Sequence, residues 1–283
     1  MIYRVFYPAP FLSNIVEHYW YSKMDLTEPA IQHYPTPLLQ GLAFNFNNQR
    51  EYHAYHGKVL TLDGKAYLFG QPTCHRVITT NEHGVNMLGV KFKPLGLAKI
   101  TGINMEHLAD QIIAAEDIWG SNKLELLCDE MQSTCSLEKA ITVLEHFLIK
   151  EYRSISLHYR VDHAQMAIAL IKQSKGIMHI KTLQEQTNTS RKTLERAFLH
   201  YLGLMPKFYS AIVRFNAVKQ LMDHHPCLSI SSIAHDMGYY DNSHLAAAFK
   251  RFSDLTPTAY LENARTVRLE NAHFRENNSA SLV

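Results

Sequence analysis

The chain has 283 residues, 46% of them hydrophobic, and a formal net charge of +2, which fits a globular protein long enough for two domains with separate cores. No apolar run approaches membrane-spanning length and no basic start leads into one, so a cytoplasmic protein with no membrane partner is expected. The four cysteines, Cys74, Cys128, Cys135 and Cys227, have no paired short spacing, which speaks for reduced thiols and against a zinc site.

The first third of the chain reads as extended. Leu42, Phe44 and Phe46 alternate with Ala43, Asn45 and Asn47, and Asn47-Asn48 is a turn signal. Val77 to Thr80 is β-prone, Asn81 to Gly84 reads as a turn, and Leu88, Val90 and Phe92 share one face of a strand from Val85. The pair is expected to form a hairpin. Several short strands within roughly the first ninety residues predict a small antiparallel barrel or sandwich. Aromatic residues at Tyr19, Trp20, Phe44, Phe46 and Tyr67 are candidates for lining a ligand pocket there, and alternating aromatics equally suit a β core. His53-x-x-His56 does not place both rings on one side of a strand, so no metal site is expected. No nucleophile, base and metal constellation can be assembled, which leaves no catalytic residues and no cofactor.

Helical signals begin after Pro94, at Met105 to Ala115, Lys123 to Met131 and Leu137 to Ile149. The last carries a stripe of Leu137, Ile141, Leu144 and Leu148, suited either to packing on the strands or to a subunit interface. Lys150 to Tyr159 reads as a linker. Beyond it the charge changes sign. Arg160 to Arg265 holds 13 Lys and Arg against 8 Asp and Glu, whereas the residues before it hold 13 against 16. A basic second domain behind a mildly acidic first one is what phosphate binding by only one of them would produce.

Within this basic region a single segment occurs twice. Ile180 to Tyr209 reads IKTLQEQTNTSRKTLERAFLHYLGLMPKFY, and Ile230 to Tyr260 reads ISSIAHDMGYYDNSHLAAAFKRFSDLTPTAY. With one extra residue in the second copy, Leu183 falls on Ile233, Asn188 on Gly238, Leu194 on Leu245, Phe198 on Phe249 and Pro206 on Pro257. Each copy carries a helical pattern that stops at a residue tolerant of positive φ, Asn188 or Gly238. A second helix then begins behind an N-cap, Ser190 or Asp241. Two helices joined by such a turn make a helix-turn-helix, and two of these in tandem point to double-stranded DNA as partner. Phe208, Ile212, Phe215, Val218 and Leu221 mark a helix linking the two units.

From about Val161 to Arg265 this order resembles the DNA-binding domain of the AraC/XylS family of transcription regulators, with Met166, Ile168, Leu170 and Ile171 in its leading helix. The hallmark run is present as Gly238-Tyr239, Ala248-Phe249-Lys250-Arg251 and Leu255-Thr256-Pro257. The resemblance implies groove contacts from Arg191, Lys192, Thr193, Glu195 and Arg196 in the first recognition helix. In the second it implies contacts from Asn242, Ser243 and His244, with Lys250 and Arg251 on phosphates. Gln184 and Thr187 stand where the family has alanine and leucine, and Ala247 where it usually has arginine. The polar pair is expected to point outward or to widen the helix approach, and the missing arginine to loosen readout of the second half-site.

The N-terminal half resembles the effector-type domain of some members of the same family, through Pro10 with Val16-Glu17-His18-Tyr19-Trp20, through Gly89-Val90-Lys91-Phe92-Lys93-Pro94, and through Asp117-Ile118-Trp119-Gly120. The fold expected is α+β and two-domain. It has an N-terminal cupin-like antiparallel β-barrel with helices, and a C-terminal all-α domain with two helix-turn-helix units. Residues 1–155 form the effector-sensing and dimerisation domain, 160–265 the DNA-binding domain, and 266–283 a polar tail. The resemblance further implies a homodimer, a small-molecule effector and contact with RNA polymerase. Two alternatives stand beside it, a barrel enzyme with an accessory helical domain and a DNA-binding regulator without a ligand.

Overall fold

The computed structural model describes residues 2–263, apart from 26–29, 35, 37, 48–50, 56–57, 63, 81–83, 156–160 and 226. The described strands are β1 (Ile2–Phe6), β2 (Val16–Met24), β3 (Ala30–Tyr34), β4 (Gln40–Asn45), β5 (Glu51–Tyr55), β6 (Lys58–Leu62), β7 (Ala66–Phe69), β8 (Arg76–Thr80), β9 (Val85–Phe92) and β10 (Ile112–Ala114). They make two antiparallel sheets, one of six strands in the order β1-β2-β9-β4-β7-β10 and one of four in the order β3-β8-β5-β6. Neither closes on itself, so the expected barrel is replaced by two open sheets within the α+β, two-domain architecture.

The expected hairpin does not form. β8 pairs with β3 and β5, while β9 lies between β2 and β4. The intervening residues 81–83 lie outside the described residues. Alternation reports an extended backbone with a buried face and says nothing about which strand lies beside it. β9 is buried continuously from Met87 to Val90, as suits a strand inside a sheet covered on both faces.

Four described helices cover the six-stranded sheet side of the chain: α1 (Gly96–Thr101), α2 (Glu116–Trp119), α3 (Ser121–Ser133) and α4 (Leu137–Ser154). The helix expected at Met105 to Ala115 is instead a single 3-10 turn, Met105–His107, followed by β10. Asp110 breaks it with φ 57, and its carboxylate accepts from the Thr73 backbone N–H at 2.7 Å and hydroxyl at 2.5 Å. α4 runs to Ser154, well into the segment read as linker, and residues 156–160 lie outside the described residues. Its apolar stripe is covered within the chain, with Leu144 and Leu148 fully buried. Glu145 on α4 accepts from the Tyr19 hydroxyl at 3.1 Å and from the Ala9 N–H at 2.8 Å, which fastens the helix to the sheet. Each buried leucine there stabilises the fold by about 1.5–3 kcal/mol.

The remaining helices are α5 (Val161–Gln173), α6 (Ile180–Thr187), α7 (Arg191–Leu202), α8 (Pro206–His224), α9 (Ile230–Asp236) and α10 (Asn242–Ser253), with a helical stretch at 257–263. One hydrophobic core runs through both halves of the molecule.

Candidate nucleic-acid interface

The two repeats fold alike down to their turns. After α6, Asn188 adopts φ 46; its N–H donates to the Glu185 carbonyl at 3.2 Å, and the Thr189 N–H to that of Gln184 at 3.0 Å. After α9, Gly238 adopts φ 67, and its N–H and that of Tyr239 donate to His235 and Ala234 at 3.0 and 2.9 Å. Both are Schellman endings, which satisfy carbonyls that the helix itself cannot. The next helix then starts on a side-chain cap. Ser190 accepts from the Thr193 N–H at 3.2 Å, and Asp241 from the His244 N–H at 2.7 Å.

α7 and α10 share a division of faces set by α8. Leu194, Ala197, Phe198 and Tyr201 of α7 are buried, as are Leu245, Phe249 and Phe252 of α10. Edge-to-face rings join them to the linking helix: Phe198 to Tyr209 at 5.8 Å, Phe215 to Phe249 at 5.1 Å, and Phe208 to Phe252 at 5.8 Å. Such pairs add about 0.5–1.5 kcal/mol each beyond burial and favour one orientation. With both inner faces fixed to one helix, the outer faces are presented by a single rigid support.

On the outer face of α7, Arg191, Lys192 and Arg196 are exposed. Glu195 is less so, and accepts from the Arg191 guanidinium at 2.8 Å, while Thr193 is half-buried beside the Ser190 cap. On α10, Asn242, Ser243 and His244 are exposed at the first turn. Asn242 donates to the Ser231 hydroxyl at 2.9 Å, and the His244 ring stands edge-on to Tyr239 at 5.2 Å. Lys250 pairs with Asp254 at 2.5 Å, and the Arg251 guanidinium lies 4.4 Å over the Phe208 ring. Ala247 is exposed on the same side.

Two features escape a reading by repeats alone. Arg214 on α8 donates from Nη2 to the Gly176 carbonyl at 2.8 Å and from Nη1 to the Gly238 carbonyl at 3.1 Å, tying the turn after α5 to the second helix-turn-helix turn. No local sequence signal marks this role, because the two glycines lie 24 and 38 positions from Arg214. Tyr240, 93% exposed in the turn ahead of α10, is the second. The two unusual residues of the first unit do not point outward. Thr187 is buried with its hydroxyl donating to the Leu183 carbonyl at 2.8 Å, so it points inward. Gln184 is half-buried, and its Nε2 is buried without a hydrogen-bond partner among the described residues.

The N-terminal domain is hydrogen-bonded to the C-terminal ends of both α7 and α10. The Thr36 N–H and hydroxyl donate to the Phe252 carbonyl at 2.7 and 3.1 Å, and Asn216 donates to the Thr36 carbonyl at 3.3 Å. At the end of α7, Gln40 donates to the Tyr201 carbonyl at 3.5 Å. A cleft of about 280 Å³ lies at this junction, lined among others by Gln40, Gln71, Lys91, Lys172, Tyr209 and Asn216. None of the five aromatic candidates lines it. Tyr19, Phe44 and Tyr67 are buried in the sheet core, Trp20 lies against Gly89, and Phe46 packs at the core's edge. His53 is buried too, and His56 lies outside the described residues.

Residues 183–263 match the family model described as a helix-turn-helix domain, and residues 4–114 match a domain of unknown function, DUF6597. An uncharacterized HTH-type transcriptional regulator of Haemophilus influenzae is 29% identical over 93 residues, which is 33% of this chain and 31% of that protein. The chain therefore matches about a third of that relative's length. Among solved structures, ToxT from Vibrio cholerae O395 is similar over 92% of this chain and 96% of its own, at 11% identity and TM-score 0.46. Wild-type ToxT from Vibrio cholerae strain SCE256 with a bound unsaturated fatty acid is similar over 86% and 94%, at 14% identity and TM-score 0.48.

Proposed function

We propose that the chain is a transcription regulator of the AraC type, by its two C-terminal helix-turn-helix units, and that it binds double-stranded DNA sequence-specifically. The observation that carries this reading is the matched construction of α7 and α10. Each buries its inner face on α8 and turns polar and cationic side chains outward behind a capped first turn. A single molecule would then read two adjacent major-groove segments. Arg196 and Lys192 would reach base edges from α7, with Arg191 and Glu195 fixing each other and Thr193 near the backbone. Asn242, Ser243 and His244 would do so from α10. Lys250 and Arg251 would hold phosphates, the first by exchanging Asp254 for a phosphate oxygen. Ala247 offers no side chain long enough to join them.

The N-terminal domain is proposed to sense a small molecule, in a homodimer acting with RNA polymerase in the cytoplasm, and no catalytic role is proposed. Because Leu144 and Leu148 are buried within one chain, a dimer would use another surface than the α4 stripe.

The test is selection from randomised duplexes with the full chain. Binding should weaken steeply with salt as phosphate counterions are released. Arg196→Ala should lose about ten- to a hundredfold on the selected site and relax one base pair. Lys250→Ala should weaken all sequences alike and flatten the salt slope by roughly one ion. A full chain that enriches no sequence at moderate salt would overturn the regulator reading.

A further inference from the structure

We infer that the cleft between the sheet and the linking helix is a binding site for a small organic anion that also carries hydroxyl groups. The inference deepens the regulator reading, because it names the site and the ligand class through which the N-terminal domain would act.

Two buried polar atoms carry it. Gln40 is 4% exposed and Tyr209 1%; both line the cleft, and the Gln40 Oε1 and Tyr209 hydroxyl have no hydrogen-bond partner among the described residues. A buried polar group left unsatisfied costs about 1–3 kcal/mol, and two in one cleft mark a place built to receive partners. Gln40 Oε1 is an amide oxygen and can only accept, while the amide nitrogen of the same side chain donates to Tyr201. It therefore calls for a donor such as a ligand hydroxyl, while Tyr209 can give or take a hydrogen bond.

The charge supplies the second requirement. Lys91 and Lys172 line the same cleft with Glu17, and of the two lysines it is Lys91 that is ion-paired, donating to Glu17 at 2.8 Å. The cleft lining keeps one cation in excess. Lys172 is exposed on α5, and partial desolvation at the cleft, with Lys91 and Lys93 nearby, holds its amine below the ordinary lysine range against the opposing pull of Glu17. An anion would relieve that. Size fits a metabolite, since the volume is near the lower end for ligand sites.

The same side chains reach the recognition helices. Gln40 holds the end of α7 through Tyr201, and Asn216, also in the cleft, holds Thr36, which holds the end of α10 through Phe252. A ligand engaging Gln40 and Asn216 has a different affinity for clamped and released domains, which is what control requires.

The probe is D-gluconate, measured by titration calorimetry on the full chain without DNA, beside sorbitol, which lacks the carboxylate, and hexanoate, which lacks the hydroxyls. Gluconate should bind at millimolar concentrations or below and both controls at least tenfold more weakly. Tyr209→Phe should weaken gluconate by about tenfold while leaving the thermal midpoint unchanged or higher, because it removes an unsatisfied hydroxyl. Lys172→Gln should also weaken it. No heat with gluconate, equal binding of either control, or a Tyr209→Phe protein that binds as wild type would each overturn the proposal. The regulator reading is tested separately, since DNA selection without gluconate can fail or succeed independently of the heat. A change in DNA affinity of fivefold or more on adding gluconate, absent in Tyr209→Phe, would support the coupling, and no change would overturn it.

Discussion

Arg214 illustrates how one side chain can decide the position of a turn. Its guanidinium spans two carbonyls from different segments, and it also covers the Tyr239 ring at 5.5 Å. A lysine carries the charge but presents no planar fork, so it cannot hold both carbonyls in the same geometry. Hydrogen bonds to charged groups contribute about 1.5–3 kcal/mol. Arg214→Lys should therefore lower stability by about 2–3 kcal/mol in urea unfolding of the full chain, and a variant as stable as wild type would refute this role. Such a residue is hard to find in a sequence, because its partners lie 24 and 38 positions away. The outward-facing residues were easier. Arg191, Lys192 and Arg196 stand at fixed offsets from a cap, and the offset alone determines their side of the helix.

At the scale of elements, local chemistry was legible and partnership was not. Asn188, Gly238, Ser190 and Asp241 are local signals whose hydrogen bonds close within a few residues, and each turn and cap is where they place it. β8 and β9 are extended as expected, but their neighbours are chosen by packing across the whole sheet. The helix expected after Met105 shows the same limit, since Asp110 is held by Thr73 from a distant stretch of the chain. Gln184 is a case where a departure from the family pattern has a local cost. It brings a buried N–H donor into α6 that finds no acceptor among the described residues. Gln184→Ala should raise stability by about 1 kcal/mol, the typical penalty of an unsatisfied group less the small loss of packing. A rise in the urea midpoint without loss of DNA binding is the expected result, and a fall would mean that the amide is satisfied in solution.

For the whole molecule, the close approach of its two halves depends on Gly203, the residue that ends α7. It adopts φ 70, and a Cβ there would lie 2.4 Å from the Met105 carbonyl oxygen. Gly102 ends α1 with the same φ of 70, but a Cβ would meet only the tip of Ile155 at 3.0 Å. Alanine at either position carries the left-handed strain of about 1–2 kcal/mol, so the comparison isolates the contact. Gly203→Ala should be the more destabilising of the two and should make the junction between the halves more sensitive to protease, whereas equal losses would show that the halves do not approach so closely. The clamp at this junction also fixes an order of events in the life of each molecule. Thr36 and Phe252 are separated by 216 positions, and chains are made from the N-terminus, with domains folding as they emerge. The sheet can therefore be complete while its partner helix has yet to be synthesised, and every newborn molecule passes through a stage in which Thr36 has no helix end to hold.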